Sequence, residues 1–148
     1  MVWFKGKNPE MEILKREMQA FEASHVIARI SSDRKIQSVN ENFCTVLDVA
    51  PTDIIGKSYE QIVRQKDHNK PEFMDIWTSV EAGKTINQIV PRLNAQGEEI
   101  WFDATYTPIM NADGTHGYTI VAAREITNMH LRRRDNRSQV DALKRSMA

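Results

Sequence analysis

The chain has 148 residues, 41% of them hydrophobic and 27% charged, which is enough for one globular domain with extensions. Its 20 basic and 20 acidic side chains cancel, so no whole-chain field selects nucleic acid or an anionic lipid surface. Cys44 is the one cysteine, so an intrachain disulfide is excluded, in keeping with a reducing compartment.

Residues 1–10 read as a lead-in without the apolar centre of a signal peptide. No run of about 18 apolar residues is present to span a bilayer, and a cytoplasmic location is the expectation. Met11, Leu14, Met18 and Phe21 recur at helical spacing within residues 11–23, with Glu and Lys on the other face. Two roles stay open for this helix: a cap packed on its own domain, or a dimerising helix, because so short an amphipathic helix is marginal alone. Val26 to Ile30 and Lys35 to Val39 alternate as strands around a turn at Ser31-Ser32-Asp33. Asn40 is placed to cap a helix carrying Phe43, Val46 and Leu47. Pro51 opens a short helical turn that ends at Gly56, and Ser58 caps another with Tyr59, Ile62 and Val63.

The polar run Arg64 to Lys70 reads as a loop. Pro71 opens a helix with the stripe Phe73, Met74, Trp77 and Val80, ending at Gly83. Thr85 to Asn94 is a strand in which Pro91 indicates an edge or a bulge. Ile100 to Ile109 and His116 to Arg124 are long strands joined through Asn111-Ala112-Asp113-Gly114. Alternation puts Phe102, Ala104 and Tyr106 on the core face and Trp101, Asp103 and Thr105 on the outer one. The outer indole wants cover, from the 11–23 helix or from a partner subunit. Thr119, Val121 and Ala123 form the inner face of the last strand. The order β-β-α-α-α-α-β-β-β predicts an α+β fold with an antiparallel sheet and a small pocket between sheet and helices.

Signatures of catalysis are missing from the sequence. His25, His68, His116 and His130 show no metal-ligand spacing, and no GxSxG, P-loop or dinucleotide fingerprint occurs. Cys44 lies mid-helix beside Phe43 and reads as a small buried apolar residue, with no electropositive setting to make it a nucleophile. His68 reads as a solvated side chain in a polar loop. The expectation is that the chain is not an enzyme. Arg132-Arg133-Arg134 is read as a solvated run and not as a nucleic-acid patch. Met129, Val140, Leu143 and Met147 give a loose helical stripe in residues 128–148.

Four segments together resemble a PAS domain of the kind found in bacterial methyl-accepting, aerotaxis-like chemoreceptors. They are Val39-Asn40-Glu41-Asn42-Phe43, Ile54-Ile55-Gly56-Lys57, the stretch from Gly97 through Trp101 to Ala104-Thr105-Tyr106-Thr107-Pro108-Ile109, and Arg124-Glu125-Ile126-Thr127, where Glu replaces the family's Asp. The resemblance implies a five-stranded antiparallel sheet with short helices on one face and helical extensions at both ends. It divides the chain into a cap helix at 1–23, the PAS domain at 24–127 and a linker helix at 128–148. The expected pocket takes Ala28 and Ile30 from the first strand, Phe43, Leu47 and Ile62 from the short helices, and Phe73 and Trp77 from the long helix. Val90 of the next strand joins Phe102, Ala104, Tyr106, Thr119, Val121 and Ala123. Leu14, Met18, Phe21 and Trp101 are expected at a cap or dimer contact, and Glu125, Ile126 and Thr127 at the point where a signal leaves.

The same resemblance implies a sensory or relay domain that passes a ligand, redox or oxygen signal to downstream domains of the same chain, as a homodimer. A ligand-free dimerisation module, or the sensor of a histidine kinase or diguanylate cyclase, is the alternative. Heme and FAD are the cofactors left open. FAD-binding relatives carry a Trp where Ile86 falls, and heme-sensing ones a Trp on the last strand, which has none here. Residues 138–148 resemble the lead-in to a second PAS repeat, as Met18 to Val26 does for the first, and imply that the chain is a fragment.

Overall fold

In a computed structural model the described residues are 8–147, with the side chains of 132–136 and 138 left aside. The lead-in at 1–7 and the side chains of Arg132, Arg133 and Arg134 therefore lie outside the described residues. Helix α1 (Pro9–Ser24) starts at Asn8, whose side chain accepts from the Glu10 and Met11 amides. Strands β1 (Val26–Ser31) and β2 (Ile36–Val39) form the first hairpin. Helices α2 (Glu41–Leu47) and α3 (Pro51–Ile54), 3-10 turns at Tyr59–Ile62 and Gln65–Asp67, and helix α4 (Pro71–Glu81) follow. Strands β3 (Ile86–Leu93), β4 (Glu99–Met110) and β5 (His116–Glu125) complete one sheet, and helix α5 (Thr127–Met147) leaves it.

The sheet has the order β2-β1-β5-β4-β3 with antiparallel ladders throughout. The chain is thus α+β, with β5 at the centre and the short helices against one face. β3 pairs only with β4, and that edge position accommodates the missing N–H of Pro91. The β4–β5 turn closes through Gly114, whose φ of 85° is a backbone state that a side chain disfavours.

Local signals explain the helix starts. The Asn40 side chain accepts from the amides of Phe43 and Ile27 at 3.0 Å each. Its amide group also donates to the carbonyls of Glu22 and His25 at 2.8 Å each, so one residue caps α2 and ties down the end of α1. Ser58 accepts from the Glu60 amide. The Arg64–Lys70 run is more ordered than a polar loop implies. Asp67 is buried because Arg64 (2.7 Å) and Lys70 (2.9 Å) neutralise it. Burial alone would raise its pKa, but hydrogen bonds from Arg64 and Lys70 hold it below the usual carboxylate value.

Helix α1 does not pack as a cap. It contributes no buried residue, and Met11, Ile13, Leu14, Met18 and Phe21 are all exposed. Only its end is fastened, by Asn40, by Asn42 and by the Glu22–Arg29 ion pair at 3.0 Å.

Candidate functional site

The inner face of the sheet builds the site. Ladder pairing sets Ala104 opposite Ala123, Tyr106 opposite Val121, Ala28 opposite Val121 and Phe102 opposite Val90. Three alanines at the middle of neighbouring strands leave a hollow that the larger helical side chains do not fill. The result is a cavity of about 20 Å³. Of the residues assigned to a pocket from the sequence, Ala28, Phe43, Leu47, Ile62, Val90, Phe102, Ala104, Val121 and Ala123 line this cavity. Ile30, Phe73, Trp77, Tyr106 and Thr119 are equally buried but pack behind the lining. Tyr59 stands edge-on to Trp77 with ring centres 5.6 Å apart, and Phe73 likewise at 5.7 Å, so the long helix contributes an aromatic wall.

Three lining residues are absent from the sequence-derived set: Val26, Tyr59 and Arg92. Arg92 is the most consequential. It is 5% exposed, and its Nε donates to the Tyr59 hydroxyl and its Nη2 to the Tyr106 hydroxyl, each at 2.9 Å. Its Nη1 donates to the Pro91 carbonyl at 2.7 Å. The two hydroxyls lie 2.9 Å apart and share a hydrogen bond. Burial opposes the Arg92 charge, yet the phenol oxygens of Tyr106 and Tyr59 outweigh it and hold the guanidinium above its ordinary pKa. Burial also pushes the Tyr106 phenol far above its usual range, against the pull of Arg92. A protonated guanidinium therefore faces the neutral phenol of Tyr106. Arg92 and Val90 also border a groove of about 480 Å³ along the β3 edge, lined in addition by Asp67, Gln88, Ile89 and Trp101.

The strand–helix junction forms a second cluster, one residue from the cavity lining. The Ile126 amide donates to the Trp101 carbonyl at 2.8 Å, and the Trp101 amide to the Thr127 hydroxyl at 3.0 Å. That hydroxyl donates to Glu125 Oε2 at 2.9 Å. Trp101 is on the outer face, and within the chain its cover comes from α5 and not from α1. His130 of α5 stacks on it at 3.9 Å with an 18° interplanar angle, and the Arg64 guanidinium lies 5.8 Å from the ring centre. The backbone bonds at 126 and 127 place the first turn of α5 there, leaving Leu14, Met18 and Phe21 apart from Trp101.

His68 and Cys44 are both tied into the fold. His68 is not a freely solvated side chain: its Nε2 is bound to the carbonyls of Val63 (2.9 Å) and Glu60 (3.1 Å), and its ring stacks on Phe73. Cys44 is half-buried, and burial, then Glu41, pushes its thiol pKa up, away from thiolate character.

A family model described as the PAS fold matches residues 21–131. The chain belongs to the PAS family. The biofilm dispersion protein BdlA of Pseudomonas aeruginosa is 27% identical over 131 residues, covering 88% of this chain and 31% of that protein. The chain thus spans about a third of that relative's length. A PAS-domain crystal structure from Colwellia psychrerythraea is similar, with a TM-score of 0.70 at 19% identity, covering 78% of this chain and 98% of the other. An RNA-binding light-oxygen-voltage receptor has a TM-score of 0.71 at 17% identity, covering 99% of this chain and 41% of that one. These likenesses show the PAS fold.

Neither heme nor FAD fits the cavity of this PAS domain as it stands. No histidine lines it, so an axial ligand is missing from the lining, and about 20 Å³ has no room for a macrocycle or an isoalloxazine ring. No helix among the described residues is long and apolar enough to cross a membrane.

Proposed function

We propose that this PAS domain is the sensory or relay unit of a longer bacterial signal-transduction protein, most closely of the methyl-accepting chemoreceptor type, acting in the cytoplasm and catalysing no reaction itself. The observation that carries the reading is the junction at Trp101, Ile126 and Thr127. Phe102 lines the cavity, and its neighbour Trp101 holds the first turn of α5 through two hydrogen bonds and a ring stack. Ala123 lines the cavity from β5, three residues before Ile126. A change in cavity contents shifts β4 and β5, and α5 follows because its start is bonded to both strands. Two hydrogen bonds at about 0.5–1.5 kcal/mol each and a stack of similar size match the usual 1–3 kcal/mol of coupling between sites. The resemblance of the 97–109 and 124–127 segments to chemoreceptor PAS domains supports the output, as does similarity to a longer bacterial protein named for biofilm dispersion.

A homodimer is the second element of the reading. The exposed stripe of α1 and the exposed Met129, Leu131, Val140, Leu143 and Met147 of α5 favour it. The relay is tested in the full-length protein with Thr127→Ala, which deletes the acceptor for the Trp101 amide. The reading expects a lost or shifted signal response from a domain whose circular dichroism is unchanged. A normal response from the folded variant sinks it.

A further inference from the structure

Helix α1 buries no side chain of its own, so the ties at its end set where it points. The last carbonyls of a helix have no partner within it. Asn40, which caps α2, and Asn42 in the first turn of α2 supply the donors. Asn40 Nδ2 donates to the carbonyls of Glu22 and His25 at 2.8 Å each. Asn42 Nδ2 donates to those of Ala23 and His25 at 3.0 Å each, with that of Glu22 at 3.3 Å. The Asn40 side-chain oxygen meanwhile accepts from the Ile27 and Phe43 amides at 3.0 Å each. Both hydrogens and both lone pairs of that one amide are therefore in use. Aspartate offers no donor, and glutamine sets its amide one methylene further from the backbone. The Glu22–Arg29 ion pair is partly exposed and adds a weaker strut.

This joint borders the hollow, which Val26, Ala28 and Phe43 help to line. His25, whose carbonyl both asparagines hold, precedes Val26. Ile27 lies between Val26 and Ala28, and Asn40 binds it twice. The Ile27 amide donates to the Asn40 side chain, and the Asn40 amide donates to the Ile27 carbonyl, at 3.0 Å each. Phe43 is bonded to Asn40 directly. We infer that Asn40 and Asn42 are positioning residues that couple α1 to the hollow, so that displaced lining residues turn α1 and make it a second arm beside α5. The length of the arm amplifies small movements. Its 16 residues at 1.5 Å of rise span about 24 Å, so a tilt of about 5° carries its far end roughly 2 Å. The exposed stripe of α1 rides on that arm, so the hollow also sets how two copies meet. The inference deepens the sensory reading, and rests on that reading for the consequence of the tilt but not for the coupling itself.

The test is amide hydrogen exchange of the 148-residue protein, read at residues 20–25 and, separately, at 126–131. Ala104→Leu overfills the hollow, and it is expected to change exchange at 20–25 by about threefold or more. Asn42→Ala removes donors to α1, leaves the Asn40 cap in place and puts a good helix former in α2. In that background the response of 20–25 to Ala104→Leu is expected to fall by at least half, while the response of 126–131 is kept. A residue that merely stabilises α1 changes exchange at 20–25 equally with and without the hollow variant. Unchanged exchange at 20–25 in Ala104→Leu, or an undiminished response in the Asn42→Ala background, overturns the inference. If Ala104→Leu does not fold, Val121→Ala, which enlarges the hollow instead, decides by the same criteria. A response at 20–25 without one at 126–131 counts against the α5 relay alone, and the reverse counts against this inference alone.

Discussion

Arg92 follows Pro91 on β3 and stands two positions after Val90, so alternation sends both side chains to the same face. Val90 was assignable to the core from the sequence because it is apolar. Arg92 was not, because a charged residue near a turn ordinarily marks a solvated position. Parity was the signal that could have found it. Tyr59 escaped for a different reason: its contact with Arg92 spans 33 positions, and local periodicity carries nothing about such a partner. The cluster makes a direct prediction. Tyr106→Phe removes the acceptor for Arg92 Nη2 while leaving the ring in place, and leaves a buried cationic donor unsatisfied. Urea unfolding is expected to show a loss of about 1–3 kcal/mol. A loss below about 0.5 kcal/mol would mean that the phenol is not what stabilises the buried charge.

At the scale of elements, most of the chain was legible. Asn40, Ser58 and Pro71 mark helix starts chemically, and the 100–109 and 116–124 runs alternate cleanly enough to fix strand faces. The cover of Trp101 was not legible. It depends on Thr127 bonding a strand 26 positions earlier, which steers α5 and not α1 onto the indole. The α1 stripe reads from the sequence either as a cap on its own domain or as a dimerising helix, and the folded chain leaves it exposed. The proposed homodimer uses this stripe of Met11, Leu14, Met18 and Phe21, which is exposed on its own domain. Light scattering is therefore expected to report a dimer for the full chain and a monomer for the chain lacking residues 1–23. Equal masses per particle in the two cases would contradict a dimerising role for α1. The shortened chain should fold, since α1 adds no buried side chain to the core.

Across the whole molecule, the cavity, the sheet and α5 form a short mechanical path. The lining residues Phe102 and Ala123 sit on adjacent strands, and their neighbours Trp101 and Ile126 are joined by a 2.8 Å hydrogen bond. The central claim is that the contents of the cavity set the hold of the sheet on α5. Amide hydrogen exchange of residues 126–131 in wild type and in Ala104→Leu tests it most directly, since the added side chain overfills the hollow and presses on the strands around it. The account predicts exchange altered by about tenfold, equivalent to roughly 1.4 kcal/mol of changed opening free energy, with α4 unaffected. Unchanged exchange at 126–131, in a variant whose strand signals prove that the cavity is filled, would contradict it.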